Sequence, residues 1–178
     1  DVLDYLADVS RRTYLTVELG LQTVHDKTAE RINRCHTYSD FLECYKRLRD
    51  KDINVCVHLI NGLPGENREM MLESAYEMSK LELHSIKLHL LHIRDTAMAE
   101  EYLRGEFAAL TLEEYVDIIC AQLELLPPEL IIQRVTGDGA RDTLIAPLWS
   151  LKKFVVMNEI DKKLARDDTM QGSKYCGK

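Results

Sequence analysis

No apolar run in this 178-residue chain approaches the roughly 18 residues of a membrane span, and the charged opening Asp1-Val2-Leu3-Asp4 does not make a signal peptide. A soluble, cytoplasmic globular protein is expected. None of the five cysteines (Cys35, Cys44, Cys56, Cys120, Cys176) stands in a C-x2-C pair. That excludes a zinc ribbon and suits free thiols in a reducing compartment better than a disulfide scaffold. The six histidines form no H-E-x-x-H helix motif, and there is no internal repeat or low-complexity segment. An initiating methionine is also missing. The chain opens inside an amphipathic pattern (Val2, Leu3, Leu6, Val9), as though cut from something longer.

What is present is a core-forming composition. Hydrophobic residues make up 46% of the chain, enough for one sizeable domain. The net charge of −7 argues against broad nonspecific binding to nucleic acid while leaving room for a local basic groove.

Along the chain, strands alternate with helices. Residues 1–10 read as a helix ending at Arg11-Arg12, and Tyr14 to Gly20 as a short strand carrying Glu18 in an apolar run. A buried carboxylate needs a partner; an edge position in water is the alternative. Helical spacing follows over His25–Asn33 and from Ser39, a plausible N-cap, to Lys51. Residues 53–61 form the next strand. A helix from about Asn67 carries a methionine stripe suited to core packing, and residues 84–92 alternate as a third strand with Ile86, Leu88 and Leu90 on one face and Lys87 and His89 on the other. Helices are expected from Asp95-Thr96 and from Thr111, whose Glu114 has capping-box spacing. A fourth strand over 130–135 enters the loop Thr136-Gly137-Asp138-Gly139, and a last helix spans Pro147 to about Leu164. This rhythm implies a mostly parallel sheet, an α/β fold with part of a (β/α) TIM-like barrel.

The stretch His58-Leu59-Ile60-Asn61-Gly62-Leu63-Pro64-Gly65-Glu66 ends a buried strand in a glycine turn. At the carboxyl ends of parallel strands, glycines let backbone approach a ligand, which makes His58 a candidate contact; an ordinary turn beside a core histidine is the alternative. Glu18, Gln22, His58, Lys87, His89, Gln133 and Arg134 all lie within or just after apolar strands. Together they suggest a polar cavity lined by strand ends.

Val17-Glu18-Leu19-Gly20-Leu21-Gln22, then Arg31-Ile32-Asn33-Arg34, then His58 to Glu66 in that order resemble the middle of a radical S-adenosylmethionine (SAM) enzyme. The similarity is to the branch holding the oxygen-independent coproporphyrinogen oxidases and the catalytic subunit of elongator. Ile132-Gln133-Arg134-Val135-Thr136-Gly137-Asp138 and Arg166-Asp167-Asp168-Thr169-Met170-Gln171-Gly172 resemble a bacterial elongator-like group. The resemblance implies that Gln22 contacts the methionine part of SAM, Arg34 its carboxylate, and Glu18 the ribose hydroxyls or the amine. It implies that His58 binds ribose where relatives often carry Asp, and that Ile60 and Gly62 border the adenine, with Leu90 or His92. Lys87, His89, Gln133 and Arg134 are substrate candidates; core or rim charges are the level alternative. The resemblance also implies a [4Fe-4S] cluster held by a C-x3-C-x2-C loop, which this sequence does not contain. The expectation is therefore a C-terminal barrel portion over residues 1–166 with a polar, flexible tail over 167–178, inactive alone and prone to self-associate through uncovered edges. In the full enzyme, SAM would be cleaved to a 5′-deoxyadenosyl radical that takes hydrogen from a substrate, with a tRNA nucleoside favoured. Two rivals stay open: a non-catalytic α/β SAM- or nucleotide-binding module, and a cluster-free barrel enzyme using Glu18 and His58 as acid and base.

Overall fold

A computed structural model describes residues 1–137 and 139–177. Four strands make its main sheet: β1 (Thr16–Gln22), β2 (Asn54–Asn61), β3 (Ser85–Leu90) and, after a short β4 (Ile93–Arg94), β5 (Ile131–Arg134). Their spatial order is β1-β2-β3-β5, and every pairing is parallel. Neighbours in space follow the order of the chain, which is the winding of a barrel arc rather than of an open doubly wound sheet.

Parallel neighbours require crossovers, and helices supply them. Between β1 and β2 run α2 (Asp26–Arg31) and α3 (Tyr38–Arg49); between β2 and β3, α4 (Arg68–Ser79); between β3 and β5, α5 (Ala97–Leu103) and α6 (Leu112–Leu125). The helix α1 (Val2–Arg12) precedes the sheet and α7 (Lys153–Arg166) follows it. Caps explain several boundaries. Asn67 accepts from the Met70 amide at the start of α4, and Thr111 with Glu114 forms the expected capping box of α6. The start of α3 lies earlier than the serine cap predicted at Ser39. Thr37 caps it instead, with Asp40 returning a bond to the Thr37 amide, so the better reciprocal pair wins.

Two further differences come from short elements. The strand expected over 84–92 breaks after Leu90; Ile93–Arg94 turn away to pair antiparallel with β6 (Leu144–Ala146), a strand too short to leave a pattern in sequence. The helix expected from Pro147 begins as a separate 3-10 turn, Leu148–Leu151, before α7.

The core lies on one side of the sheet. Val55, Val57, Leu59, Ile86, Leu88 and Leu90 meet Met78 of α4, Tyr115, Ile119 and Leu123 of α6, and Ile160 of α7. Burying each such side chain contributes roughly 1.5–3 kcal/mol. Tyr115 also donates to the Val135 carbonyl at 2.9 Å, fixing α6 against the end of β5. The polar residues after α7 are tied down: Gln171 Nε2 donates to the Pro127 and Leu130 carbonyls at 2.7 and 2.8 Å, and the Lys174 amide donates to the Glu124 carbonyl at 2.9 Å.

One polar pair interrupts the apolar side. Asn61, at the carboxyl end of β2, and Gln122 of α6 exchange two amide bonds at 2.9 and 2.8 Å, and Gln122 also donates to the Met71 carbonyl at 2.9 Å. Both side chains are fully buried. Gln122→Leu removes all three bonds and strands the Asn61 amide; a loss of roughly 1–3 kcal/mol or more is expected in urea unfolding, whereas Gln122→Glu, which still accepts from Asn61, retains part of the network.

Candidate functional site

Alternation along each parallel strand sends every second side chain to the face opposite the helices. In register, Glu18 of β1 stands beside Cys56 of β2 and Ser85 of β3; one step up are Gly20, His58, Lys87 and Arg134; above these are Ile60 and His89. Seven of the polar positions singled out in the sequence therefore meet on or at the rim of one face. Arg134 reaches the same row as Lys87 because the β3–β5 register shifts between Ile86 and Lys87. Gln133 bonds Ser85 Oγ at 2.7 Å.

At the centre is a clasped carboxylate. Lys87 Nζ lies 2.6 Å from both Glu18 oxygens, and His58 Nε2 lies 2.7 Å from Oε2. The imidazole approach is not aligned with its ring N–H, so it is a close polar contact rather than a well-formed hydrogen bond. The Lys87 bond holds the Glu18 carboxyl below its usual range. Burial lowers the His58 pKa, with repulsion from Lys87 adding and Glu18 opposing. The His58 and His89 ring centroids are 5.2 Å apart. His89 is pushed down to about 4, first by burial and then by His58, Arg134, Lys87 and His92. Its buried Nε2 has no hydrogen-bond partner among the described residues.

A second cluster sits where β1 ends. Gln22 adopts φ +66, a left-handed conformation that costs a non-glycine residue roughly 1–2 kcal/mol, and the β1–β2 register shifts there. Its amide folds back over Gly20: a Cβ on Gly20 would lie 2.6 Å from Gln22 Nε2. Arg34, following α2, donates from Nε to the Gly20 carbonyl at 3.3 Å. Its other two guanidinium nitrogens are buried with no hydrogen-bond partner among the described residues; burial lowers its pKa, with the nearby Asp26 and Asp40 carboxylates opposing. Two free donors on a half-buried guanidinium suit a carboxylate, which accepts two parallel bonds from one guanidinium.

The loops beyond the strands are cross-tied. Gly62 and Gly65 adopt φ +86 and +88, conformations open to glycine. The Gly62 amide donates to Met71 Sδ at 3.2 Å. Thr23 after β1 donates to Glu66 after β2 at 2.5 Å, and burial raises the Glu66 pKa. Of the two residues expected beside an adenine on the third strand, Leu90 turns to the helix-side core with Ile86 and Leu88, while His92 lies at the polar face, 3.1 Å from where a Cβ on Gly137 would stand. Asp138, expected in that loop, lies outside the described residues, as does Lys178 of the tail.

Sequence reasoning missed Gly20, Thr23 and the Asn61–Gln122 pair. A glycine within a strand, two residues from Glu18, was the available signal for close backbone approach at Gly20; pairs 43 and 61 residues apart leave none. A groove of about 970 Å3 lies elsewhere, between α4, α6 and α7. Asp117 there pairs with both Arg68 and Lys163, and among the described residues the groove lacks the orphaned donors of the strand face. No group of three or more His, Cys, Asp or Glu residues able to hold a metal occurs among the described residues. No helix among them is long and apolar enough to cross a membrane.

Comparison with known proteins bears on this face. Residues 1–76 match the Radical SAM superfamily and residues 83–166 the Radical_SAM C-terminal domain. The uncharacterized protein YtqA of Bacillus subtilis is 47% identical across 98% of the chain and 55% of its own length. A tRNA uridine(34) acetyltransferase of Methanocaldococcus jannaschii is 30% identical over 68% of the chain and 23% of that protein. Among solved structures, archaeal Methanocaldococcus infernus Elp3 with an N-terminal deletion superposes with a TM-score of 0.77 at 19% identity, covering 94% of this chain and 40% of that one. The last likeness shows a shared α/β fold. The chain spans about half the length of YtqA.

The His89 environment yields a direct test. With its folded pKa near 4 against an ordinary 6.5, the unfolded chain binds more protons between those values, so His89 lowers stability as pH falls through 6.5 toward 4 and adds no further loss below that. NMR titration of the His89 ring should give a midpoint near 4, and His89→Gln should flatten the stability profile over that window. A midpoint near 6.5 would contradict the buried, cation-flanked environment.

Proposed function

Because the chain belongs to the radical SAM superfamily, in its elongator-like branch, we propose that its strand-end face forms one wall of a SAM site in a radical SAM enzyme. The observation that carries this reading is Arg34. Two buried guanidinium nitrogens without hydrogen-bond partners among the described residues, beside the folded-back Gln22 amide, fit the carboxylate of an amino acid moiety. Glu18, still half exposed behind its clasp, offers acceptors to ribose hydroxyls or the amine. His58, an imidazole whose pKa burial lowers, offers one further polar contact to ribose. Ile60 and the Gly62 turn, with His92, are suited to the adenine end.

The cluster does not fit residues of this sequence: no C-x3-C-x2-C loop occurs, and its ligands are assigned to the parent enzyme outside these 178 residues. When bound in the parent enzyme, the cluster and SAM would supply the radical chemistry. What this chain contributes is binding, orientation and a dry, packed back wall behind the strands.

For the substrate we favour a tRNA nucleoside, supported by the relative named for tRNA uridine(34). His89, Gln133 and Arg134 flank the face on the β3 and β5 side, where a substrate would enter beyond SAM. A non-catalytic SAM- or nucleotide-binding module is the second reading, which rests on the missing C-x3-C-x2-C motif in this sequence.

Arg34 provides the test. In the intact, anaerobically reconstituted protein, Arg34→Lys keeps the charge but loses the two-pronged donor, and equilibrium dialysis with labelled SAM should show binding weakened roughly tenfold or more. Gly20→Ala, which displaces the Gln22 amide, should weaken SAM binding with little change in melting temperature. Unchanged affinity in both variants would remove the SAM reading. Reductive cleavage of SAM by the intact protein separates the enzyme from the binding module. Retention of tRNA by the intact protein should fall steeply between low and physiological salt; a flat response argues against RNA.

A further inference from the structure

The face carries one lysine, Lys87, which the sequence leaves open between a substrate contact and a core or rim charge. Lys87 belongs to β3 and Glu18 to β1, with β2 between them, so the lysine reaches diagonally over the intervening strand to meet the carboxylate. The exposures are unequal: the Lys87 side chain is 16% exposed, while Glu18 is 46% exposed. The cation is covered and the anion is presented. Such an arrangement is poorly suited to a lysine that meets substrate, and well suited to one that holds another group in place.

We propose that Lys87 is a positioning residue: it holds the Glu18 carboxylate aimed at the open face, where that carboxylate accepts hydrogen bonds from the hydroxyls or ammonium group of SAM. This inference rests on the SAM reading above and extends it. A carboxylate has about four lone-pair sites, so the clasp by Lys87 and His58 leaves room for a ligand donor. The fixed ammonium also keeps the carboxylate from swinging between rotamers, so less side-chain freedom is lost when a ligand binds. The titratable groups facing Glu18 are Cys56 and His58 on β2 and Lys87 on β3, with Arg134 beyond Lys87 on β5. Cys56 is buried and its thiol is pushed up by burial, so it remains neutral. His58 is held low by burial. Lys87 is therefore the permanent charge in direct contact with Glu18.

A double-mutant cycle in the intact reconstituted protein tests this, read as the dissociation constant of SAM against pH. Lys87→Met should weaken SAM binding roughly tenfold at neutral pH, and more at pH 5, because a carboxyl without its ammonium neighbour takes up a proton at higher pH. Lys87→Arg should restore most of the affinity and the flat profile. Glu18→Gln should weaken binding on its own, and adding Lys87→Met to it should cost nothing further, because the lysine acts only through the carboxylate. The NMR titration of Glu18 should move upward in Lys87→Met. Fully additive losses would show that Lys87 meets a ligand directly and would overturn the assignment. So would a Lys87→Met protein that melts earlier yet binds SAM with unchanged affinity and pH profile, which is the behaviour of a stabilising ion pair alone. If Glu18→Gln and Arg34→Lys both leave SAM binding untouched, the SAM reading itself fails, a result distinct from either.

Discussion

Everything at the strand-end face depends on the parallel register of β1, β2 and β3. Because side chains alternate with a period of two, the pairing of Gly20 with His58 and of His58 with Lys87 decides at once which residues meet the helices and which meet the open side. A slip of one residue in β3 would drive Lys87 and His89 into the helix-side core and leave Ile86 and Leu88 in the open. The core and the polar face are two consequences of one register, and the apolar residues on the covered side enforce the geometry of the polar residues on the other.

That coupling shapes the electrostatics. Glu18 is already engaged by Lys87, so its bond to that lysine is the face's main internal charge compensation. The imidazoles of His58 and His89 are lowered by burial and by neighbouring cations, and remain uncharged at neutral pH. A centre built this way combines a compensated ion pair with neutral hydrogen-bonding groups, while Arg34 and Arg134 hold positive charge at opposite flanks. Such a distribution suits a zwitterionic or mixed ligand better than a simple anion, since a lone anion would face Glu18 as well as the arginines.

The strands and most helices were legible because their causes are local. Val55 to Ile60 is a β-branched apolar run closed by a glycine turn, and Asn67 and Thr111 bond backbone amides within three residues. Where two polar residues compete for one cap, as Thr37 and Ser39 do, local reading does not rank them, because the deciding bond comes from Asp40. The β4–β6 ribbon was illegible since two- and three-residue strands carry no periodicity and their partner lies some fifty residues away. Of the site, Glu18, His58, Lys87 and His89 were visible as polar residues interrupting apolar strands. Their roles were less so. Glu18 needed a partner that spacing does not name, and for Lys87 a substrate contact and a core or rim charge stood level until the pairing across β2 joined the two residues. Arg34 came from the family resemblance alone; that two of its nitrogens are buried without a hydrogen bond among the described residues is a property of three-dimensional surroundings. Leu90 was placed correctly on the apolar side of its strand, which is why it stands apart from His92 at the polar face.

The helix side does more than supply burial. The Asn61–Gln122 exchange anchors the last residue of β2 to α6, the Gly62 amide rests on Met71, and the Thr23–Glu66 bond joins the loops that follow β1 and β2. Each lies within a few residues of a group on the open face: Asn61 beside Ile60, Thr23 beside Gln22. Glycine turns such as those at Gly62 and Gly65 would otherwise be among the most mobile parts of the sheet, because glycine restricts the backbone least. Buried amide pairs are directional in a way apolar contacts are not, so they select one loop position among several of similar burial. A ligand bound at the strand ends would then meet a surface whose loops are already ordered, and more of its contact energy would remain as affinity. The positions of Gln22 and Ile60 are set from behind the sheet, by residues that a ligand never touches.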